Sequence, residues 1–494
     1  MIKLLFRLLF FAFAIGLIAI VLYVFDLPPF QAKLEIAPTN SEETNLQNEE
    51  SKLPENLKEN KVGRQKTYEE MIERAKSLEQ SNFPALAIAQ YQEAYKKDPS
   101  KIDPLYEIGK IHLRNNAPDK AESIFEDILE KSPNDNQAKL LLSRSLLAER
   151  KISEAKKILN TINDNTQITK YYQGIVAAYF GENDQAKKLL NESIAIGGND
   201  DLTKKANNFL AAYNEYDFNV DAPELHLKVL LARSYNQCGE YQMAIPLLFE
   251  VTKVKLDYRD AWVLLGYAYL KIEKYQDAID ALEKAKVLDS QKPETLFYLG
   301  LGYYSMNNFI KAEENLSKAK EFGFEPKILV DQKLAEVYLE LKNYQKSAAS
   351  YETVISLNSQ DVNYFIRPIW IYLEKLNEPE KAYQLALKAA TKHPGEAMSQ
   401  NLMGWTLIYK KDYGPAETHL KSAMGLDPKL DAVYLNMGLL YEKKSENEKA
   451  LAFYKKAHSL GKSDGVAAAA ATRYNNLIAK INNQTLTANT LGSN

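Results

Sequence analysis

The sequence predicts an all-α fold: a solenoid of paired helices, preceded by one membrane-spanning helix and closed by a capping helix. Three observations predict it. The chain holds only 20 Gly and 18 Pro in 494 residues, against 31 Tyr, which suits helices with large contacts between them. Small and large apolar residues recur with a period of ~34 residues along about four-fifths of the chain. The opening stretch, MIKLLFRLLFFAFAIGLIAIVLYVF, is apolar on all faces, unlike a core helix with one buried stripe.

That opening stretch is read as a signal-anchor helix over residues 4–25, with residues 1–7 as a cytoplasmic stub. Its run reaches the ~20 residues needed to cross a bilayer core. Lys3 and Arg7 precede the uncharged part, and residues 26–32 carry no Lys or Arg. The positive-inside rule then keeps the N-terminus in the cytoplasm and exports the chain beyond Phe25. A cleaved signal peptide would have an apolar region of ~7–15 residues and a small-x-small site. This run is longer, and DLPPFQAKLE offers only a poor site near Ala32. Residues 26–66 are polar, rich in Glu and Asn, and without apolar period. They read as a flexible linker.

The repeat is clearest in RDAWVLLGYAYLKIEKYQDAIDALEKAKVLD, residues 259–289. With Arg259 as position 1, Gly266 falls at position 8 and Ala278 at position 20. Units beginning near Tyr68, Ile102, Asn136, Gln167, Leu225, Arg259, Pro293, Ile328, Asn363, Ala397 and Asp431 share the register. Position 20 then holds ten alanines, among them Ala121, Ala278, Ala312, Ala416 and Ala450, with Ser347 as the one exception. Position 8 holds Gly109, Gly174, Gly266, Gly300, Gly404 and Gly438, with alanine in three further units. Pro99, Pro133, Pro394 and Pro428 fall at position 32, where a proline stops the second helix.

This pattern resembles the tetratricopeptide repeat, a helix-turn-helix unit in which small residues at positions 8 and 20 let two helices approach closely. The resemblance implies a right-handed superhelical solenoid of about eleven helix pairs. The expected blocks are residues 68–199, with four repeats, and 223–464, with seven. The phase breaks between them, where residues 200–222 read as a junction helix. Residues 465–483 would cap the array, because a terminal repeat needs its apolar face covered. Residues 484–494 have no periodic apolar face and read as a disordered tail. Ser143 and Trp370 stand at position 8 of their units. Trp370 is too large for close packing and predicts a splayed or shifted helix pair there.

Catalysis would need a constellation of residues, and none is visible. The five histidines lie in different repeats, never at i, i+4, so no metal-binding helix motif is present. Cys238 is the only cysteine, which excludes an internal disulfide and a thiolate metal cage. Its repeat's His226 is twelve residues away on the same helix, about 18 Å, too far to activate it. No phosphate-binding glycine loop occurs. The reading is a non-enzymatic protein with no cofactor and no metal. A formal net charge of −3, from 62 Lys+Arg and 65 Asp+Glu, argues against nucleic acid as a partner.

What such an array does is bind other proteins, as peptide segments or helices in its concave groove. The resemblance places positions 2, 5, 9, 12 and 13 of each repeat in that groove. The candidate contact residues are Tyr106, Lys110, Arg144 and Tyr171 in the first block. In the second they are Arg233, Tyr267, Lys271, Phe297, Tyr304, Arg367, Trp405 and Tyr409. Aromatic anchors flanked by cations suit a docked segment, although the same aromatics could pack between neighbouring first helices. One subclass of the family holds the C-terminal carboxylate of heat-shock chaperones with a clamp that needs Asn at position 9. No repeat here has Asn at that position, so the clamp does not carry over, which also counts against a mitochondrial import receptor. The expectation is a single-pass membrane protein with an extracytoplasmic scaffold that organises an envelope complex. Two alternatives stay open: a glycan-gripping subunit of a polysaccharide synthase or exporter, and a chaperone-like holder of exported chains.

Overall fold

The computed structural model describes residues 66–219, 222–461 and 464–491, together with residues 45–46, 49–50 and 53. The segment expected to span a membrane, residues 4–25, lies outside them. Among the described residues no helix is long and apolar enough to cross a membrane. The chain divides into two compact units, one up to Asp164 and one from Asn165.

The first unit holds three helix pairs. They are α1 (Tyr68–Gln80) with α2 (Pro84–Lys97), α3 (Asp103–Arg114) with α4 (Pro118–Lys131), and α5 (Asn136–Ala148) with the short α6 (Ile152–Leu159). The second unit opens with α7 (Gln167–Tyr179) and α8 (Asn183–Ile196). A single helix, α9 (Asp200–Phe218), comes next. The pairs then resume with α10 (Glu224–Cys238) and α11 (Tyr241–Val254), and with α12 (Arg259–Lys271) and α13 (Tyr275–Leu288). After them come α14 (Pro293–Ser305) with α15 (Phe309–Glu321), and α16 (Lys327–Glu340) with α17 (Tyr344–Leu357). The ninth pair begins as a broken helix around α18 (Ile366–Trp370) and continues with α19 (Pro379–Lys392). The last pairs are α20 (Ala397–Tyr409) with α21 (Tyr413–Leu426), and α22 (Asp431–Lys443) with α23 (Asn447–Leu460). α24 (Asp464–Leu491) follows them.

One register explains the pairs. Every position-20 residue, ten alanines and Ser347, is fully buried. The position-8 glycines sit against the side chain at position 24 of the partner helix. A Cβ on Gly266 would lie 2.4 Å from Leu282 Cγ, and one on Gly109 2.5 Å from Phe125 Cζ. A small residue on one helix and a large one on the other therefore set the spacing.

The turn between paired helices is equally regular. The fifteenth residue of each unit is left-handed, whether it is glycine or not: Asn82, Asn116, Arg150, Gly181, Gly239, Glu273, Asn307, Lys342, Asn377, Lys411 and Ser445. The next residue's N–H then bonds back to the carbonyl at position 11, as from Lys274 to Tyr269 at 2.9 Å. This satisfies a carbonyl that the helix end would leave open. The register alone places this residue, since the side chains there range from Asn to Arg to Glu.

The ninth unit departs as its large position-8 residue predicts. Its first helix is a 3-10 turn (Val362–Phe365), then α18, then a π turn (Ile371–Lys375). Pro368 lacks the N–H that would close the preceding turn. The sizes at the paired positions are also inverted, with Trp370 at position 8 and Ala386 at position 24. The π turn takes up one extra residue, so Glu378 bonds back to Tyr372, one position earlier than in the other units.

Other expectations shift at the ends and at the junction. α9 is the junction helix, but it lies inside the second unit. Its Phe209 ring is 6.5 Å from Tyr171 and 4.8 Å from Tyr235, so the core runs through it without a break. Part of the stretch read as a flexible linker is docked on the first pair. The Glu49 carboxylate accepts the N–H groups of Ala85 at 3.3 Å and Leu86 at 3.0 Å, and Leu53 is buried. α2 has no side-chain cap of its own, so an anion at its N-terminus is favourable. α24 continues through Leu491 rather than ending at residue 483, and no Gly or Pro occurs between Gly465 and Gly492.

Candidate functional site

In the first unit the predicted cation Lys110 is neutralised, as is Arg114 one turn further along α3. Lys110 is ion-paired with Glu107 at 2.9 Å, and Arg114 with Glu79. Tyr106 does not face the groove: it is 7 % exposed, with its ring tilted 6.5 Å from Phe125. Burial, with Asp135 adding to it, pushes its phenol pKa up. Arg144 is half-buried. A recess of about 590 Å³ does open on this wall, lined by Tyr68, Glu69, Glu73, Lys76, Asp103 and Glu107 among others. Its character is acidic, the reverse of what the cations suggested.

In the second unit Tyr171 is also core, 1 % exposed and edge-on to Tyr172 at 5.2 Å. Arg233 reaches back to Glu215 of α9. The single helix at the junction thus neutralises a cation predicted to face a partner.

The structure brings three predicted residues together. Tyr267 and Lys271 from α12 and Phe297 from α14 line one recess of about 620 Å³. Phe297 forms its floor rather than its rim. It is 7 % exposed and stacks on Phe324 with centroids 4.0 Å apart. Tyr267 and Tyr298 stand 5.2 Å apart, and the Lys271 ammonium lies 5.9 Å from the Tyr267 ring. Leu270, Leu301 and Leu329 complete the apolar lining, with Glu294, Lys333 and Glu336 also lining the recess. Lys333 and Glu336 pair with each other. Burial, followed by the nearby Tyr267 and Glu294, raises the Tyr298 phenol pKa. Tyr304 stands beside this group, half-buried, with the Lys333 ammonium 4.5 Å from its ring. Burial, with Glu336 and Glu340 adding to it, raises the Tyr304 phenol pKa, and the exposed Arg367 opposes that rise.

Sequence reasoning missed Tyr298, Phe324 and Lys333. Tyr298 and Lys333 fall at position 6, outside the positions assigned to the groove. Phe324 comes from a loop. Its signal was present, because it stands at position 32, where four other units carry proline.

The last two predicted residues lie elsewhere. Trp405 and Tyr409 are partly buried near the C-terminal end of the array. The Tyr409 hydroxyl donates to the Glu374 carboxylate on the π turn. That carboxylate also accepts from the Arg473 guanidinium of α24 at 3.2 Å. Burial, with Glu374 adding to it, pushes the Tyr409 phenol pKa up.

Nucleophiles and metal ligands find no constellation among the described residues, which hold no cluster of three His, Cys, Asp or Glu side chains fit for a metal. Cys238 is buried, and that burial raises its thiol pKa, the opposite of what a nucleophile needs. His393 is buried between the Ser359 carbonyl and the Glu396 carboxylate, 2.9 Å from each.

Family models of the tetratricopeptide repeat match residues 80–142 and 116–179, 229–293, and 332–361 and 432–460. Among solved structures, yeast Tom70 is 13 % identical, with 84 % of this chain and 96 % of that one covered and a TM-score of 0.31. PilF of Pseudomonas aeruginosa is 16 % identical over 49 % of this chain and 95 % of that one, at 0.31. YrrB, described as a tetratricopeptide-repeat protein with an unusual peptide-binding site, is 16 % identical over 46 % and 97 %, at 0.27. No curated protein matches the chain.

Proposed function

We propose that this tetratricopeptide-repeat chain is a membrane-tethered, non-enzymatic scaffold that holds a partner protein in the groove of its second unit. The observation that carries the reading is the recess between α12, α14 and α16. It combines an apolar floor, two half-buried tyrosines and the Lys271 ammonium on one open wall. Aromatic rings give contact area at low entropic cost, and a flanking cation orients a segment that bears a carboxylate.

The tether is the apolar run over residues 4–25. Its flanking charges support an extracytoplasmic array, positioned to organise an envelope complex. Washing of membranes at alkaline pH, with subsequent protease treatment from the outer side, tests the tether. Retention of the chain with loss of the repeats supports it, and release by the wash refutes it.

The groove is tested by crosslinking full-length chain in membranes and identifying what is captured by mass spectrometry. Tyr267→Ala with Tyr298→Ala should cut specific capture at least tenfold with helical content unchanged. Full capture by this variant refutes the assignment. Loss of a glycan ligand rather than a protein would favour a polysaccharide partner, since sugar rings also stack on tyrosine.

A further inference from the structure

We infer that α24 is a resident occupant of the C-terminal stretch of this same groove, a self-ligand that a partner helix must displace. The inference rests on the concave face being the binding face.

A terminal cap need only cover the apolar flank of the last pair. α24 does this with Ala470 and Leu477, both buried in the cluster formed by the last repeats. It also does something a cap does not require. Ala470, Arg473, Tyr474, Leu477 and Ile481 follow i, i+3, i+4, i+7, i+11 spacing, so they share one face. From that face the Arg473 guanidinium reaches Glu374, 99 residues back. Glu374 stands at position 12 of the ninth repeat and Tyr409 at position 13 of the tenth. Arg473 also has Tyr454, a core residue at position 24 of the eleventh repeat, and Glu442, at position 12 of that repeat, in its electrostatic surroundings. Groove positions of three successive repeats thus converge on one side chain of the chain's own last helix. The geometry is that of an amphipathic helix laid in a groove.

The π turn is part of the device. It carries Glu374, and it exists because Pro368 and Trp370 disturb the helix that should have been regular. The polar part of this contact adds little to the hold that the apolar face of α24 already has. Arg473 and Glu374 remain 32 % and 29 % exposed, and an accessible pair of this kind contributes little net stability. The contact therefore suits a displaceable occupant rather than a permanent seal. The occupant that displaces it has the chemistry of α24 itself: a helix with apolar residues at i, i+4 and i+7 and an arginine at i+3.

The test uses the full-length chain and a fluorescein-labelled peptide of residues 465–482. Wild type should bind the peptide weakly, because the site is filled. Arg473→Glu with Leu477→Asp should bind it at least tenfold more tightly, and adding Glu374→Arg should remove that gain. Equal affinity for wild type and the double variant, with helical content retained, overturns the inference. Should the double variant lose its helices, hydrogen exchange of wild type replaces it. With isotope-labelled peptide in excess, amides of residues 465–482 in the chain should exchange faster while those of residues 447–460 do not change. No acceleration overturns the inference equally. Neither arm uses a natural partner, so failure of partner capture would count against the proposed function and leave this result standing.

Discussion

Gly266→Ala places the helix-pair register under the most direct test. The added Cβ would lie 2.4 Å from Leu282 Cγ, 2.8 Å from Cδ2 and 3.1 Å from Cδ1. Two effects oppose each other. Alanine is about 1 kcal/mol better than glycine inside a helix. Overlap with a side chain held in a close-packed interior costs about 1–3 kcal/mol. The net expectation is a loss of roughly 0–2 kcal/mol. Gly425→Ala is the control, because no atom lies within 4 Å of its would-be Cβ. There the propensity gain should survive, at roughly 0.5–1 kcal/mol. Leu282→Ala deletes all three clashing atoms, so Gly266→Ala should change sign in that background. Unfolding of a repeat array need not be a single transition. Native-state hydrogen exchange of α12 and α13 amides therefore reads the effect locally. Gly266→Ala and Gly425→Ala with the same sign and size would refute the account of how position 8 sets the spacing.

Named contacts give three further outcomes. Phe324→Ala removes the ring stacked on Phe297 and should cost about 3 kcal/mol locally; protection of α14 amides unchanged from wild type would contradict it. Glu273→Val puts a β-branched residue at φ 62° and should cost on the order of 1–2 kcal/mol, read as faster exchange of the α12–α13 turn, whereas Glu273→Gly should not. Glu149 gives a pH effect. Burial raises its carboxyl from 4.5 to about 7, helped by a hydrogen bond with Glu122 and opposed by Lys151, which is 3.0 Å away. A carboxyl raised on folding stays protonated in the fold while it would ionise in the unfolded chain. Stability of the first unit should therefore fall as pH rises from about 4.5 to about 7. The change should be on the order of 1–2 kcal/mol after solvent screening. Thermal melts across that range should lose this slope in Glu149→Gln, and an identical slope in both would refute it.

The repeat register was legible because it depends on side-chain size at fixed spacing, which a sequence displays directly. Gly266, Ala278 and their counterparts announce the contact between paired helices. The direction of individual groove residues was less legible. Tyr106 and Tyr171 stand at position 5, like Phe297, and all three are buried, because a ring at that position can turn back between helices. Lys110 and Arg233 read as free cations, yet Glu107 and Glu215 lie within reach on the folded surface. Phe324 belongs to a loop whose path no helical period describes. The contact of Arg473 with Glu374 could not be found from spacing at all, since it depends on where α24 runs after the last repeat.

That contact also bears on the order of assembly. Most of the pairings in this chain close within one repeat, so each needs only a short loop and can form soon after its residues are available. The bridge from Arg473 to Glu374 closes a loop of 99 residues and needs the final helix. A chain delivered from its N-terminus would present the Trp405 end of the groove open until α24 arrives, and closed afterwards. Stalled chains ending near residue 461 and chains that include α24 should therefore differ in uptake of the 465–482 peptide. Equal uptake would show that the arrival of α24 does not act as the closing step.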